Sequence, residues 1–228
     1  ATQTNVLGSR NVIDSAISHG VSKVVCLSTD KAVYPVNALG ITKALMEKVV
    51  ESSARNLGEG DTVLTIVRYG NVLFSRGSVI PLFMKQIKEK KAISVTEPDM
   101  TRFLLPLKEA TGLVTFALEQ GRQGDVFVRK APSCSVGDLA QAVKNIFRSD
   151  SEIKIIGMRH GEKLYETLAS KGELLRSEDM GDYLRVRIDD RDLNYNKYLN
   201  EGNMKVIKTE DYNSQNTVRM NVDEIEEM

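Results

Sequence analysis

Apolar residues recur at helical spacing from Asn5-Val6-Leu7 through Val12-Ile13 to Ala16-Ile17, and the stripe stops at Gly20, the pattern of an amphipathic helix and its end. The next run, Val21 to Leu27, is nearly continuous and β-branched, which predicts a buried strand. Helical spacing returns from Ala38 to Asn56, a Gly58-Glu59-Gly60-Asp61 turn follows, and Thr62 to Val67 reads as a second strand. Strand, helix, strand with apolar strands implies a parallel sheet covered on both faces. Beyond Asn71 the pattern loosens. Ile80–Lys90 and Leu107–Gln120 are helical, and Ile93–Val95, Asp125–Arg129 and Lys154–Ile156 are short strands. Ser135 to Phe147 forms a helix with Ser135 as its cap and Asp138 at the third position, a variant of the capping box. After Glu178 the chain is polar and tyrosine-rich, with turns expected at Asp189-Asp190-Arg191-Asp192 and Asp211-Tyr212-Asn213-Ser214.

Composition narrows the class. The 228 residues are 41% hydrophobic and 27% charged, enough for one good core or two small ones. Lys plus Arg and Asp plus Glu balance at 31 each, so no global field draws the protein toward nucleic acid or an anionic membrane. Anionic ligands must be held by local groups. No membrane-length apolar run and no signal pattern occur, which makes a cytoplasmic protein the expectation. Cys26 lies in an apolar run, Cys134 in what reads as a polar turn, and His19 and His160 are far apart; no metal site is expected. Residues 1–10, starting at Ala1, read as the entry to a helix already under way, as in a chain lacking its natural beginning.

Candidate chemistry sits at one strand end. In open parallel sheets ligands bind beyond the carboxyl ends of strands, where Ser28-Thr29-Asp30-Lys31 falls. Hydroxyl, carboxyl and amine in succession supply a donor, an acid and a base, although a solvated turn has the same composition. Lys43 lies one turn after Leu39 on the following helix, so both share a face that starts near the same edge. It either holds a ribose or is an ordinary surface lysine.

The run Leu27-Ser28-Thr29-Asp30-Lys31-Ala32-Val33-Tyr34-Pro35-Val36-Asn37-Ala38-Leu39-Gly40-Ile41-Thr42-Lys43 resembles the active-site stretch of extended short-chain dehydrogenases, specifically C5-inverting UDP-N-acetylglucosamine 4,6-dehydratases. Arg68-Tyr69-Gly70-Asn71-Val72, Arg76-Gly77-Ser78-Val79-Ile80-Pro81, Met100-Thr101-Arg102-Phe103 and Arg159-His160-Gly161-Glu162-Lys163 occur in that order in the same group. The resemblance covers nearly the whole chain. It implies an α/β fold: the C-terminal part of a Rossmann-like parallel sheet in residues 1–71 and about 104–130, plus a smaller substrate-binding unit in 72–103 and 131–228. It also implies NAD or NADP as cofactor, with Ser28, Lys43 and Tyr69 at the cofactor and the phosphate-binding loop upstream of residue 1. Indeed no G-x-G-x-x-G turn occurs in the sequence, so this polypeptide alone is not expected to hold the cofactor normally.

By the same resemblance the substrate is a UDP-sugar, bound by Asn71, Arg76, Ser78, Arg102, Arg159 and Glu162. Thr29 would hydrogen-bond the C4 oxygen, Asp30 would protonate the departing C6 hydroxyl, Lys31 would take the C5 proton, and Lys43 would hold the nicotinamide ribose. The full-length protein is expected to be a homo-oligomer; Arg191 and Asp211 to Asn216 match the family tail and suggest a subunit contact or a closing loop. Leu39 departs from the wider pattern, which has a tyrosine there. Lys31, a water held by Thr29, or Tyr34 then remains to deprotonate the C4 hydroxyl. A UDP-sugar 4-epimerase is the nearest alternative, and it ordinarily needs that tyrosine. A non-catalytic nucleotide-sugar-binding protein of the same fold is the alternative from another class.

Overall fold

A computed structural model describes residues 1–189 and 210–228. Arg191 lies outside the described residues, as do Asp190 and Asp192 of the first expected turn. Strand β1 (Lys23–Thr29) leads through a short turn at Asp30–Ala32 into helix α2 (Ala38–Ala54), and β2 (Val63–Tyr69) returns beside β1 in parallel, with Cys26 opposite Ile66 and Thr29 opposite Tyr69. Before them comes α1 (Ser9–Ser18), entered through a wider turn at Gln3–Gly8. Helix α3 (Val79–Lys88) and α4 (Leu107–Gln120) follow, and β6 (Val126–Arg129) adds in parallel to β2. The expected strand-helix-strand unit is therefore present, and β1 runs two residues later than the apolar run suggests. That shift matters, because Ser28 and Thr29 belong to the strand.

The sheet also takes in two strands from the stretch that the sequence assigns to the second unit. β10 (Ser177–Met180) and β11 (Tyr183–Val186) form an antiparallel hairpin, and β11 pairs antiparallel to β6, giving the order β1-β2-β6-β11-β10. Polar residues hide these strands in the sequence. Arg185 is buried within β11 only because its guanidinium meets Asp125 at 2.7 Å.

Strand alternation sends side chains to opposite faces. Leu64 and Ile66 pack with Ile13, Val50 and Ala54 of α1 and α2, whereas Val67 and Phe127 pack with Leu113 and Ala117 of α4. A second core gathers Ile80 and Phe83 of α3, Leu139 and Val143 of α5 (Val136–Ile146), and Ile225 of α7 (Val222–Glu227). It is floored by β4 (Ile93–Val95) beside β8 (Ile153–Ile155) and by β3 (Asn71–Val72), β5 (Thr101–Leu105) and β7 (Ser133–Ser135). Phe103, Leu105, Val128 and Leu168 form a further cluster that joins β5, β6 and β9 (Thr167–Ala169). Each fully buried aromatic such as Phe83, Phe103 and Phe127 contributes about 1.5–3 kcal/mol of apolar transfer. Cys134 is wholly buried on β7 instead of lying in a polar turn, and burial pushes its thiol up to about 12.

Local signals set the element ends. Asn37 accepts the Gly40 N–H at 3.0 Å and Ser135 accepts the Asp138 N–H at 2.9 Å, each capping its helix. Ser170 and Glu173 form a reciprocal capping box at α6 (Lys171–Leu174). The tail closes over this frame: β12 (Tyr212–Asn213) pairs with β9 (Thr167–Ala169). Among the described residues no helix is long and apolar enough to cross a membrane, and no cluster of His, Cys, Asp and Glu could hold a metal.

Candidate active site

The end of β1 concentrates the chemistry. Thr29 is extended (φ −155°), and its hydroxyl donates to Asp30 Oδ1 at 2.8 Å while accepting the Lys31 N–H at 3.4 Å. Lys31 Nζ donates to the same Oδ1 at 2.9 Å. Asp30 is 0% exposed, and its second oxygen, Oδ2, has no hydrogen-bond partner among the described residues. A bare buried acceptor costs about 1–3 kcal/mol, so the strand end keeps this carboxylate at a cost in stability, as functional sites do. Gly40 makes the approach of α2 possible, since a Cβ there would collide with the Lys31 carbonyl oxygen.

Lys43 stands one turn after Leu39 as expected, and its amine donates to the Leu27 carbonyl at 2.8 Å. Burial lowers its pKa against the pull of Cys26 and Glu47. It borders a groove of about 420 Å³ shared with Thr4, Gly8, Val25, Cys26 and Leu27. Leu39 is half exposed. Tyr69 ends β2 opposite Thr29, and burial raises its phenol. The hydroxyl of Ser28 is turned inward. It donates to Glu47 at 2.5 Å, leaving only its backbone for the cofactor contact expected of it.

Glu47 belongs to a buried network that the motifs did not announce. Arg68 bonds both Glu47 oxygens at 2.8 and 2.6 Å, Glu173 at 2.8 Å and the Leu168 carbonyl at 3.2 Å. Burial opposes the guanidinium charge, but the two carboxylates outweigh it and raise the Arg68 pKa. Burial likewise works against Glu173, yet Arg68 and the cap bonds from Ser170 take it down to about 2.

Residues 157–166 lie against the far side of the strand end. Asn37 Nδ2 donates to the Gly161 carbonyl at 3.1 Å, and Lys163 Nζ donates to the Val33 carbonyl at 3.1 Å. Glu162 accepts the Arg159 N–H at 2.9 Å, which closes its own loop, while Arg159 is exposed. Arg102 donates to the carbonyls of Thr101 at 2.7 Å and Lys163 at 2.9 Å, clamping this loop to β5. Asn71 and Ser78 each keep a buried side-chain oxygen without a partner among the described residues, and Arg76 is exposed. Tyr34 is exposed at φ +50°, and its hydroxyl donates to Asp211 at 3.2 Å. Asp211 to Asn216 thus folds back on its own chain.

The residue missed altogether is Glu166. It is 4% exposed, with Oε1 3.9 Å from Lys31 Nζ and Oε2 2.9 Å from Lys163 Nζ. No local pattern marks it, because residues 163–166 form a loop and the three-residue spacing to Lys163 carries no helical meaning there.

Comparisons with known proteins agree with this architecture. A family described as polysaccharide biosynthesis protein matches residues 1–188, and its C-terminal companion matches 189–228. The UDP-glucose 4-epimerase of Rickettsia felis is 54% identical over the whole chain, which covers 67% of that protein; that of Rickettsia prowazekii is 52% identical at the same coverage. Pen from Bacillus thuringiensis superposes with a TM-score of 0.85 at 34% identity, over 98% of this chain and 66% of that one. DesIV, a dTDP-glucose 4,6-dehydratase from Streptomyces venezuelae with NAD and TYD bound, shares the fold at TM-score 0.66 and 20% identity, over 72% and 56% of the two chains. The chain therefore spans about two thirds of the length of the Rickettsia felis protein and of Pen, and it belongs to the polysaccharide biosynthesis protein family.

Proposed function

We propose that the end of β1 carries the NAD(P)-dependent dehydration of a UDP-N-acetylhexosamine, a 4,6-dehydratase reaction with inversion at C5, in the making of surface-polysaccharide sugars. The observation that carries this reading is the Asp30–Lys31 pair at the carboxyl end of β1, with an aliphatic Leu39 in the first turn of α2. An acid and a base in contact suit removal of the C5 proton and departure of the C6 hydroxyl, two proton transfers at neighbouring carbons. Lys31, partly exposed, would take the C5 proton and Thr29 would hydrogen-bond the C4 oxygen, while Asp30, wholly enclosed before the sugar binds, would deliver a proton to the C6 hydroxyl once the strand end opens to admit it.

Hydride removal from C4 and its return to C6 are the chemistry that a bound nicotinamide dinucleotide supplies. The half-buried amine of Lys43 and the mainly apolar groove beside Val25 and Leu27 fit a nicotinamide and its ribose. In this reading residues 1–71 and about 104–130, with β10 and β11, face the cofactor, and the rest of 72–103 and 131–228 face the sugar nucleotide. Asn71 and Ser78, with their bare buried oxygens, and the exposed Arg76 and Arg159 would contact it; Glu162 and Arg102 hold the loop that presents Arg159.

The curated relatives favour a second reading, a UDP-sugar 4-epimerase. Incubating the full-length enzyme with UDP-N-acetylglucosamine and with UDP-glucose separates the two. A product lighter by one water supports dehydration; an unchanged mass with a C4 epimer overturns it.

A further inference from the structure

Glu166 is the residue that both sides of the strand end share. Its backbone is fixed from the tail: its N–H donates to Ser214 Oγ at 3.1 Å, and its carbonyl accepts the Ser214 N–H at 2.9 Å. Ser214 is 0% exposed; its hydroxyl also meets the Thr101 hydroxyl at 2.7 Å, and its carbonyl accepts Ser133 Oγ at 2.7 Å. At the other end of the side chain, Lys163 Nζ lies 2.9 Å from Oε2 as an ion pair without hydrogen-bond geometry, and is itself held by the Val33 carbonyl. The remaining oxygen faces Lys31.

A lysine amine rides on a four-carbon, rotamer-rich stem. One hydrogen bond to Asp30 leaves it free to swing, and its side chain is still 27% exposed. A second carboxylate with an immobilised backbone limits that swing. We propose that Glu166 is the positioning residue of Lys31, set in place by Ser214 of the tail. The proposal deepens the reading of Lys31 as the group that moves the C5 proton, and rests on it for its effect on turnover.

The test uses full-length enzyme with Glu166→Gln and, separately, Ser214→Ala. Acetylation of Lys31 by an N-hydroxysuccinimide ester is followed by peptide mass spectrometry against the exposed Lys85 as internal standard. The Lys31-to-Lys85 ratio is expected to rise in both variants, and kcat to fall by about 100-fold in Glu166→Gln with KM for the sugar nucleotide unchanged, as misplacing a reacting group does. An unchanged ratio in a variant that melts like the wild type overturns the positioning role. Should Glu166→Gln fail to fold, Ser214→Ala, which keeps the carboxylate, decides by the same ratio. A wild-type enzyme that turns over no sugar nucleotide would defeat the proposed function, while the labelling ratio would still decide on Glu166.

Discussion

Arg68 on β2 and Glu173 on α6 stand 2.8 Å apart although 105 residues separate them. With Glu47 on α2 completing the group, the pair ties the sheet to the segment that carries Glu166, so the active end of β1 is braced from beneath.

That brace sets an acid limit. The Glu173 carboxyl falls from 4.5 to about 2 in the folded chain, so its contribution is complete above pH 4.5 and is lost as the pH drops toward 2. Glu173→Gln is expected to lower stability at pH 7 by about 1.5–3 kcal/mol, the range for a hydrogen bond to a charged group. The variant should also lose less melting temperature than the wild type between pH 6 and pH 3. Equal losses would place the acid sensitivity elsewhere.

Lys31→Ala in the full-length enzyme is expected to lower kcat by about 10²–10⁴-fold, the usual worth of a positioned acid or base. The melting temperature should fall as well, because the variant leaves the wholly buried Asp30 carboxyl with the Thr29 hydroxyl as its remaining side-chain donor, so turnover is compared at a temperature where both proteins are folded. Undiminished turnover would remove Lys31 from proton transfer.

Gly40→Ala tests the packing that shapes the turn. Within a helix Ala normally beats Gly by about 0.5–1 kcal/mol. Here the sign should reverse, since the methyl would strike the Lys31 carbonyl and press on Pro35 Cβ at 3.1 Å. Overpacking of this kind costs about 1–3 kcal/mol, readable by thermal denaturation. A more stable variant would mean that the turn yields freely.

Leu39→Tyr restores a phenol one turn before Lys43. Leu39 is 48% exposed, so stability should stay within about 0.5 kcal/mol. If Asp30 and Lys31 carry the reaction, the product of the variant keeps its mass loss of one water; a switch to the C4 epimer, read by mass and NMR, would make the residue at 39 the determinant of the outcome.

The strand-helix-strand unit was legible because Val24 to Leu27 and Val63 to Val67 are apolar and their ends carry turn residues. So were the caps at Ser135 and the Lys43 spacing. β10 and β11 were not, because Arg185 hides in the sheet only by pairing with Asp125, an arrangement that no local pattern encodes. Glu166 escaped for the same reason: its partners Lys31 and Ser214 are distant in the chain, and a lone glutamate outside any motif reads as surface. Ser28 shows the reverse case. A hydroxyl inside an active-site motif looks like a ligand contact, and the strand's alternation turns it to Glu47 instead.

The wedge formed by Ser214 has a consequence in time. Its bond to Thr101 spans 113 residues and its bond to Glu166 spans 48, so both close large loops whose entropy must be overcome before any contact rewards it. The β1-α2-β2 unit closes a loop of similar size to the Glu166 contact, Lys23 to Val63, but gains a helix and a full parallel register in doing so and can order first. Refolding should therefore yield an early species with native-like secondary structure and a Lys31 that still acetylates freely, and the strand end should stiffen only when the tail docks.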